Sequence, residues 1–379
     1  MAPSAHGRRA QGDETTLADH KRRAGQRILM GIGGPALTAD ERRTIREIRP
    51  GGFILFARNV VEPAQVLELN RELWSLLPDR NPPLLSVDQE GGRVLRVKSI
   101  RWPAMRTVGN LDHLPTTQQV ASAMATELRA MGFNLNFAPV ADVDSNPRNP
   151  VIGDRSFGRD PDKVSHQVVA FARGLEAHGI IACVKHFPGH GDTDVDSHKA
   201  LPVVDKDLYD IQNVELIPFR TAVEAGIGMV MTSHVLFPAL DDQYPATMSR
   251  KVLHRLLRED LGYDGVVISD DLEMKAVRGR WRMAEVLDRA SRASVDLFCI
   301  GRSFEPDLTL SIESWEVLIR LQESDPGHHA QARTAVRRLD ALRERHWLDR
   351  TPLPPLSMVG SAGFQALAAD LHRRGAGTV

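Results

Sequence analysis

The run Lys163–His178, Gly179, Ile180-Ile181-Ala182-Cys183-Val184, then Lys185-His186-Phe187-Pro188-Gly189-His190-Gly191-Asp192-Thr193-Asp194-Val195-Asp196-Ser197-His198, decides the fold. Its first part carries apolar residues at helical spacing. Gly179 closes that helix, because glycine takes the left-handed conformation of a helix C-terminus at little cost. The apolar residues that follow read as a buried strand. The strand runs straight into a loop with three His, three Asp and a Lys. Packing has no need of so much ionisable chemistry, so the loop reads as part of an active site. Helix, glycine, buried strand and polar loop together form one unit of an α/β fold.

The unit recurs along the chain. Strands are predicted near Arg27–Gly33, Gly52–Ala57, Leu84–Val87, Asn134–Pro139, Ile180–Val184, Gly228–Thr232, Gly265–Ser269 and Val295–Ile300. Amphipathic segments lie between them, among them Pro63–Leu77, Thr116–Met131, Leu208–Ala225 and Lys251–Leu261. Gly132, Gly226 and Gly262 sit at the same helix-to-strand junction as Gly179. Eight strands alternating with helices imply a parallel sheet, and eight units are the count of a (β/α)8 TIM-type barrel. The other candidate is an open doubly wound sheet, which gathers its ligands at one crevice. Here polar groups end most strands: Arg58-Asn59, Asp88, Asp142, Lys185-His186, Ser233-His234, Asp270-Asp271 and Arg302. A closed barrel brings all those ends around one mouth, and the barrel is preferred. Residues 25–346 are expected to form it as a single domain. Residues 1–24 read as a polar N-terminal extension, and 347–379 as a Pro-containing connector and C-terminal tail. Ala330–His346 and Ala362–Arg374 are predicted helices near that end.

Composition limits the partners. Lys and Arg total 48 against 49 Asp and Glu, so no net field favours nucleic acid or an anionic membrane. No stretch approaches the roughly 18 apolar residues of a spanning helix. The first residues lack the apolar centre of a secretory signal. Cys183 and Cys299 both fall in strands and read as buried free thiols rather than a disulfide. A cytoplasmic protein without nucleic-acid or membrane partners is the expectation.

Two further motifs carry chemistry. Val266-Val267-Ile268-Ser269-Asp270-Asp271-Leu272-Glu273-Met274 is a strand ending in paired aspartates. A carboxylate at the barrel mouth, kept ionised by neighbouring cations, suits a nucleophile or an electrostatic stabiliser. The other aspartate suits a helix N-cap, and strand parity leaves open which is which. Asp88-Gln89-Glu90-Gly91-Gly92-Arg93-Val94-Leu95-Arg96 sets two acids and two arginines around a Gly-Gly turn, apt for a hydroxylated ligand. Asp154-Arg155-Ser156-Phe157-Gly158 offers another arginine. His186, His190 and His198 with Asp192, Asp194 and Asp196 are metal-ligand types. No His-x-His follows the first strand, and neither His-Glu-x-x-His nor a Cys-rich site occurs, so no metal is expected. Gly31-Ile32-Gly33-Gly34 is too short for a dinucleotide fingerprint, so no nucleotide cofactor is expected. Gly-x-Ser-x-Gly is absent.

Taken together, Lys185 to Asp192 with Asp196-Ser197-His198, Ser269 to Met274, Asp88 to Arg96 and Gly51 to Asn59 resemble glycoside hydrolase family 3. More narrowly they resemble its bacterial β-N-acetylglucosaminidase branch, over about Gly25 to His346. The resemblance implies Asp270 as nucleophile. It implies Asp196 and His198 as a dyad on a mobile loop, Gly189–Lys199, with His198 the general acid/base. Asp88 and Arg96 would bind the terminal N-acetylglucosamine, with Arg155, Lys185 and His186 completing the pocket. Asp271, Arg93 and Asp192 would be structural. The implied activity is retaining removal of terminal β-linked N-acetylglucosamine from muropeptides, in cytoplasmic peptidoglycan recycling, with no cofactor. A His acid/base departs from the usual pair of carboxyl groups about 5 Å apart. An imidazole still suits the task, since its pKa lies near neutrality. The tail Val359–Ala369 resembles the lead-in to a second domain of some members, and a single-domain enzyme is favoured. A family 3 phosphorylase is the alternative, because a His, unlike a carboxylate, does not repel phosphate. Asp-Ser-His argues against a β-glucosidase. A non-catalytic carbohydrate-binding barrel is the alternative of another class, and the presence of every proposed catalytic residue argues against it.

Overall fold

The eight expected strands pair side by side and parallel in the computed structural model, which describes residues 17–77, 82–194, 196–197, 200–302, 308–346 and 352–376. They are β1 (Ile28–Gly31), β2 (Gly52–Leu55), β3 (Leu84–Val87), β4 (Leu135–Asn136), β5 (Ile181–Phe187), β6 (Met229–Thr232), β7 (Val266–Ile268) and β8 (Phe298–Ile300). The order is β8-β1-β2-β3-β4-β5-β6-β7. A parallel bridge from Ile268 to Leu297, with Ser269 N–H donating to Leu297 O at 3.0 Å, closes β7 onto the start of β8. The closed circle is the expected (β/α)8 barrel.

Each strand is buried on both faces, and alternate residues enter different cores. Leu29, Ile54, Leu84, Leu135, Ile181, Cys183, Met229, Met231, Val266, Ile268 and Cys299 pack together inside the barrel. Their neighbours, such as Ile28, Phe53, Leu85, Ala182, Val230, Val267 and Phe298, belong to the layer between strands and helices. Both cysteines are free and lie in the inner cluster. Inward parity then continues past the strand ends. Asp88 follows Leu84 in that parity, Lys185 follows Ile181 and Cys183, and Asp270 follows Val266 and Ile268.

The connecting helices include Pro63–Ser75, Leu114–Ala130, Pro161–Glu176 and Ile217–Glu224, close to the predicted spans. Lys251–Asp260 is helical as expected but wound in the wider π form. Gly132, Gly179, Gly226 and Gly262 all have φ between +70° and +85°, the left-handed turn that ends a helix before a strand. Ala39–Ile48 is a further helix. It is held by a capping box in which Thr38 accepts from Glu41 N–H and the Glu41 carboxylate accepts from Thr38 N–H. That carboxylate also takes Gly33 N–H at 2.8 Å and Arg302 at 2.6 Å, joining the ends of β1 and β8.

The first and last described segments of the chain dock on the barrel. Residues 17–26 are helical, Ala24 is fully buried, and Trp315 and Gln322 donate to the carbonyls of Lys21 and His20. At the other end Pro326–Arg345 and Ala362–Ala376 are helices, and Ala368 and Leu371 of the second join the main core. Among the described residues, no helix is long and apolar enough to cross a membrane.

Candidate active site

A cavity of about 180 Å³ opens at the C-terminal ends of the strands. Ile54, Phe137, Met231 and Cys299, the upper layer of the barrel interior, contribute its apolar lining. Asp88, Arg96, Arg155, Lys185, His186 and Asp270 contribute its polar lining, so six of the residues expected at the site meet there. They come from the ends of β3, β5 and β7 and from the loops after β3 and β4. Asp196 is half-buried, with its carbonyl accepting Ala200 N–H at 3.2 Å, while its neighbour Ser197 lines the cavity. His198 lies outside the described residues.

The charged groups form one connected cluster. Lys185 is almost fully buried, and its Nζ donates to Asp88 Oδ1 at 2.8 Å and reaches Glu90 Oε1 at 2.5 Å. Arg155 binds the Glu90 carboxylate with Nε at 2.8 Å and Nη2 at 2.9 Å. Arg96 Nη2 stands 3.6 Å from Asp88 Oδ2. Burial opposes the charge on Glu90, but Arg155 and Lys185 outweigh it and hold the carboxyl well below the usual range. Burial likewise opposes the charge on Lys185, and Asp88 and Glu90 more than restore it. The sequence placed Glu90 among the two acids of this turn without giving it a role of its own, although its spacing of two from Asp88 was the available signal, since such residues share a face in extended chain.

Asp270 is also held ionised. Burial would raise its pKa, yet His186, His234, the Asp271 N–H and Lys185 bring it below the ordinary value. Asp271 N–H donates to its Oδ1 at 2.8 Å. Asp271 also lines the cavity, but its Oδ1 serves the frame, accepting Gly301 N–H at 3.2 Å and Glu273 N–H at 3.1 Å. Arg93 pairs with Asp154 at 3.3 Å and donates to the carbonyls of Val151 and Ile152, fixing the turn that carries Arg155.

Asp142, at the end of the β4 segment, sets the two histidines of the β5 loop. It is fully buried and takes His186 N–H at 3.1 Å, His190 N–H at 2.7 Å and His186 Nδ1 at 2.7 Å. Burial opposes its charge, but His186 prevails and keeps it ionised. An ionised acceptor fixes the proton of His186 on Nδ1. The β5–β6 register shifts between Val184 and Phe187, and the consecutive residues Lys185 and His186 both line the cavity.

His190 ties down the loop that follows. Its Nδ1 meets Thr193 Oγ1 at 2.9 Å and its Nε2 meets Ser197 Oγ at 3.2 Å. Asn149 adds hydrogen bonds to the carbonyls of His190 and Gly191. Burial, then the nearby His186, pushes the His190 pKa down to about 4 from 6.5. The unfolded chain takes up this proton as pH falls below 6.5, whereas the folded protein refuses it until about 4. Stability from this group is therefore lost as pH falls through that window, by about 3 kcal/mol in all. His190→Gln removes the titration and keeps a donor and an acceptor. Urea midpoints between pH 7 and 4 should fall less steeply for this variant, and parallel curves would refute the assignment.

Among the described residues, no three His, Cys, Asp or Glu side chains are grouped to hold a metal ion.

The profile of the "Glycosyl hydrolase family 3 N terminal domain" matches residues 22–313. The β-hexosaminidase of Pseudomonas aeruginosa is 38% identical over 331 residues, spanning 85% of this chain and 95% of that protein. The family 3 β-N-acetylglucosaminidase of Paenibacillus sp. FPU-7 superposes with a TM-score of 0.88 at 36% identity, covering 94% of this chain and 68% of that one. NagZ of Neisseria gonorrhoeae, in complex with N-trifluoroacetyl-D-glucosamine, superposes with a TM-score of 0.70 at 29% identity, covering 92% and 98%.

Proposed function

This chain belongs to glycosyl hydrolase family 3 as a β-N-acetylglucosaminidase, and we propose that it is an exo-acting, retaining enzyme that works through a covalent glycosyl-Asp270. The observation that carries this is the setting of Asp270: an ionised carboxylate of inward parity at the barrel mouth, in the cavity shared by Asp88, Arg96, Arg155, Lys185 and His186. Sites of this barrel lie at that face.

In the first step Asp270 attacks the anomeric carbon as His198 protonates the departing glycosidic oxygen. In the second, His198 takes a proton from water, which displaces Asp270 and restores the starting configuration. Asp196 orients His198 and stabilises its charged form. Asp88 accepts hydrogen bonds from sugar hydroxyls, and Arg96, Lys185, His186 and Arg155 donate to the sugar. These roles for Asp196 and His198 rest on the family motif.

The substrate is a saccharide ending in β-linked N-acetylglucosamine, and we extend the proposal to muropeptides in cytoplasmic peptidoglycan recycling. Support for this extension comes from the resemblance of Lys185 to Asp192 and of Asp196-Ser197-His198 to the bacterial branch of the family.

The test is proton NMR of 4-nitrophenyl β-N-acetylglucosaminide turnover, followed from the first minute. The β-anomer of the free sugar should appear first and then mutarotate. An initial α-anomer would overturn the double displacement, and sugar 1-phosphate in phosphate buffer would move the enzyme to the phosphorylases. Faster cleavage of an N-acetylglucosaminyl-anhydromuramyl peptide than of chitobiose is expected; the reverse order would remove the muropeptide assignment.

A further inference from the structure

We propose that the C-terminal segment 352–376 is a positioning strap that holds the sugar-binding loop in its working conformation. The inference rests on the assignment of Asp88 and Arg96 to sugar binding. The loop concerned runs from Asp88, at the end of β3, through a short hairpin of Gln89–Gly91 and Val94–Leu95 to residue 104. Its two halves are stitched together. Gln89 Oε1 accepts Arg96 N–H at 2.9 Å and Val97 N–H at 3.1 Å, and Gln89 Nε2 donates to Val97 O at 2.7 Å. Gly92 N–H donates to Trp102 O at 2.9 Å. Gln89 thus holds Arg96 and Val97 together, and the stretch 97–102 that continues from them is tied back to the hairpin at Gly92.

Those residues are in turn held by the strap. The carboxylate of Glu127 gathers three donors: Ser99 Oγ at 2.9 Å and Trp102 Nε1 at 2.9 Å from the loop, and Gly360 N–H at 2.9 Å from the strap. Gly360 has φ +70°, the left-handed conformation that turns the chain into the last helix. On that helix Phe364 packs on Trp102, with ring centroids 6.4 Å apart. Ala368 and Leu371 are buried in the same core as Val97, Ile100 and Trp102. His372 Nε2 meets Arg101 O at 2.8 Å. These hydrogen bonds and the ring contact of the strap go to Glu127, Arg101 and Trp102, none of them assigned to the chemistry. The strap grips the far side of the loop whose near side presents Asp88 and Arg96 to the cavity, so its contribution falls on sugar binding rather than on turnover.

The full-length Phe364→Ala/Leu371→Ala variant tests this with 4-nitrophenyl β-N-acetylglucosaminide. KM should rise about tenfold with kcat within about twofold, the pattern of lost uniform binding. Leu371→Met should restore KM. A contribution to stability alone would lower the melting temperature and leave KM unchanged, which overturns the proposal. If the double variant fails to fold, His372→Ala removes only the exposed contact with Arg101 O, and its KM should rise about twofold; an unchanged KM again overturns it. Arg96→Ala separates the two levels. It should raise KM by itself, and the strap variants should add less in that background than in the wild type, since only Asp88 then remains to be positioned. If Arg96→Ala leaves KM unchanged, the sugar-binding assignment fails and takes the strap with it. If Arg96→Ala raises KM and the strap variants do not, only the strap fails.

Discussion

Asp270→Asn is expected to lower kcat by about 10⁴ to 10⁶ while leaving the fold intact. The carboxamide matches the carboxylate in shape, and its oxygen still accepts the Asp271 N–H now bound at 2.8 Å. What it lacks is the charge and the nucleophilicity that form the glycosyl ester. Denaturation midpoints should therefore stay close to wild type as turnover disappears. Asp270→Gly carries the test further. In that variant azide is expected to enter the space left by the carboxylate and attack from the same face of the sugar. A glycosyl azide of α configuration should then accumulate from the 4-nitrophenyl substrate. Asp271→Asn is the control, because Asp271 spends one oxygen on the N–H groups of Gly301 and Glu273. Abolished turnover in Asp271→Asn, with activity retained in Asp270→Asn, would reverse the assignment.

Which aspartate is which shows how far strand chemistry is legible. The run Val266-Val267-Ile268 is apolar throughout, so hydrophobicity alone cannot distinguish its faces. The closed barrel supplies the missing reference. Val266 and Ile268 pack inside, and Asp270 follows them in parity while Asp271 bonds to the β8 end. The eight strands and their order of polar ends were readable because each unit repeats the same local signals: an amphipathic helix, a terminal glycine, a short apolar run. Glycines such as Gly132 and Gly179 acted through local backbone preference, which needs no tertiary context.

The supporting residues were harder to see because their meaning lies in distant partners. Glu90 and Arg155 are 65 residues apart, and only the barrel brings β3 and β4 loops together. Asp142 reads in isolation as one more polar strand end, yet it fixes His186 and His190 at once. The tail showed a connector and an amphipathic helix, but its anchor, Glu127, lies on a helix with no sequence signature of that task. Local pattern therefore reported where chemistry sits, and the long-range network that holds it emerged from packing.

Glu90→Ala is the variant expected to cost most in stability, about 3–5 kcal/mol, the usual penalty for removing one partner from a buried ion pair. Glu90 is 2% exposed, and its carboxylate is shared by Lys185 at 2.5 Å and Arg155 at 2.8 Å. Truncation leaves Lys185 with Asp88 alone and strips Arg155 of its carboxylate. Glu90→Gln should cost less, since the amide oxygen still accepts one donor. Apolar replacement of such clusters is often harmless elsewhere, so retaining two cations and two anions in a pocket wall makes sense only if they face a polar ligand. KM for the N-acetylglucosaminide should therefore rise in Glu90→Gln even at temperatures where the variant is fully folded. The pH dependence follows from the depressed pKa of Glu90, whose ordinary value is 4.5. Its stabilisation is complete above the unfolded value and is lost only as pH falls towards the lower folded one. The stability gap between wild type and Glu90→Gln should be constant from pH 5 to 8 and narrow below about 4.5. A gap that instead closed between pH 8 and 6 would mean that another group, and not this carboxylate, carries the charge of the cluster.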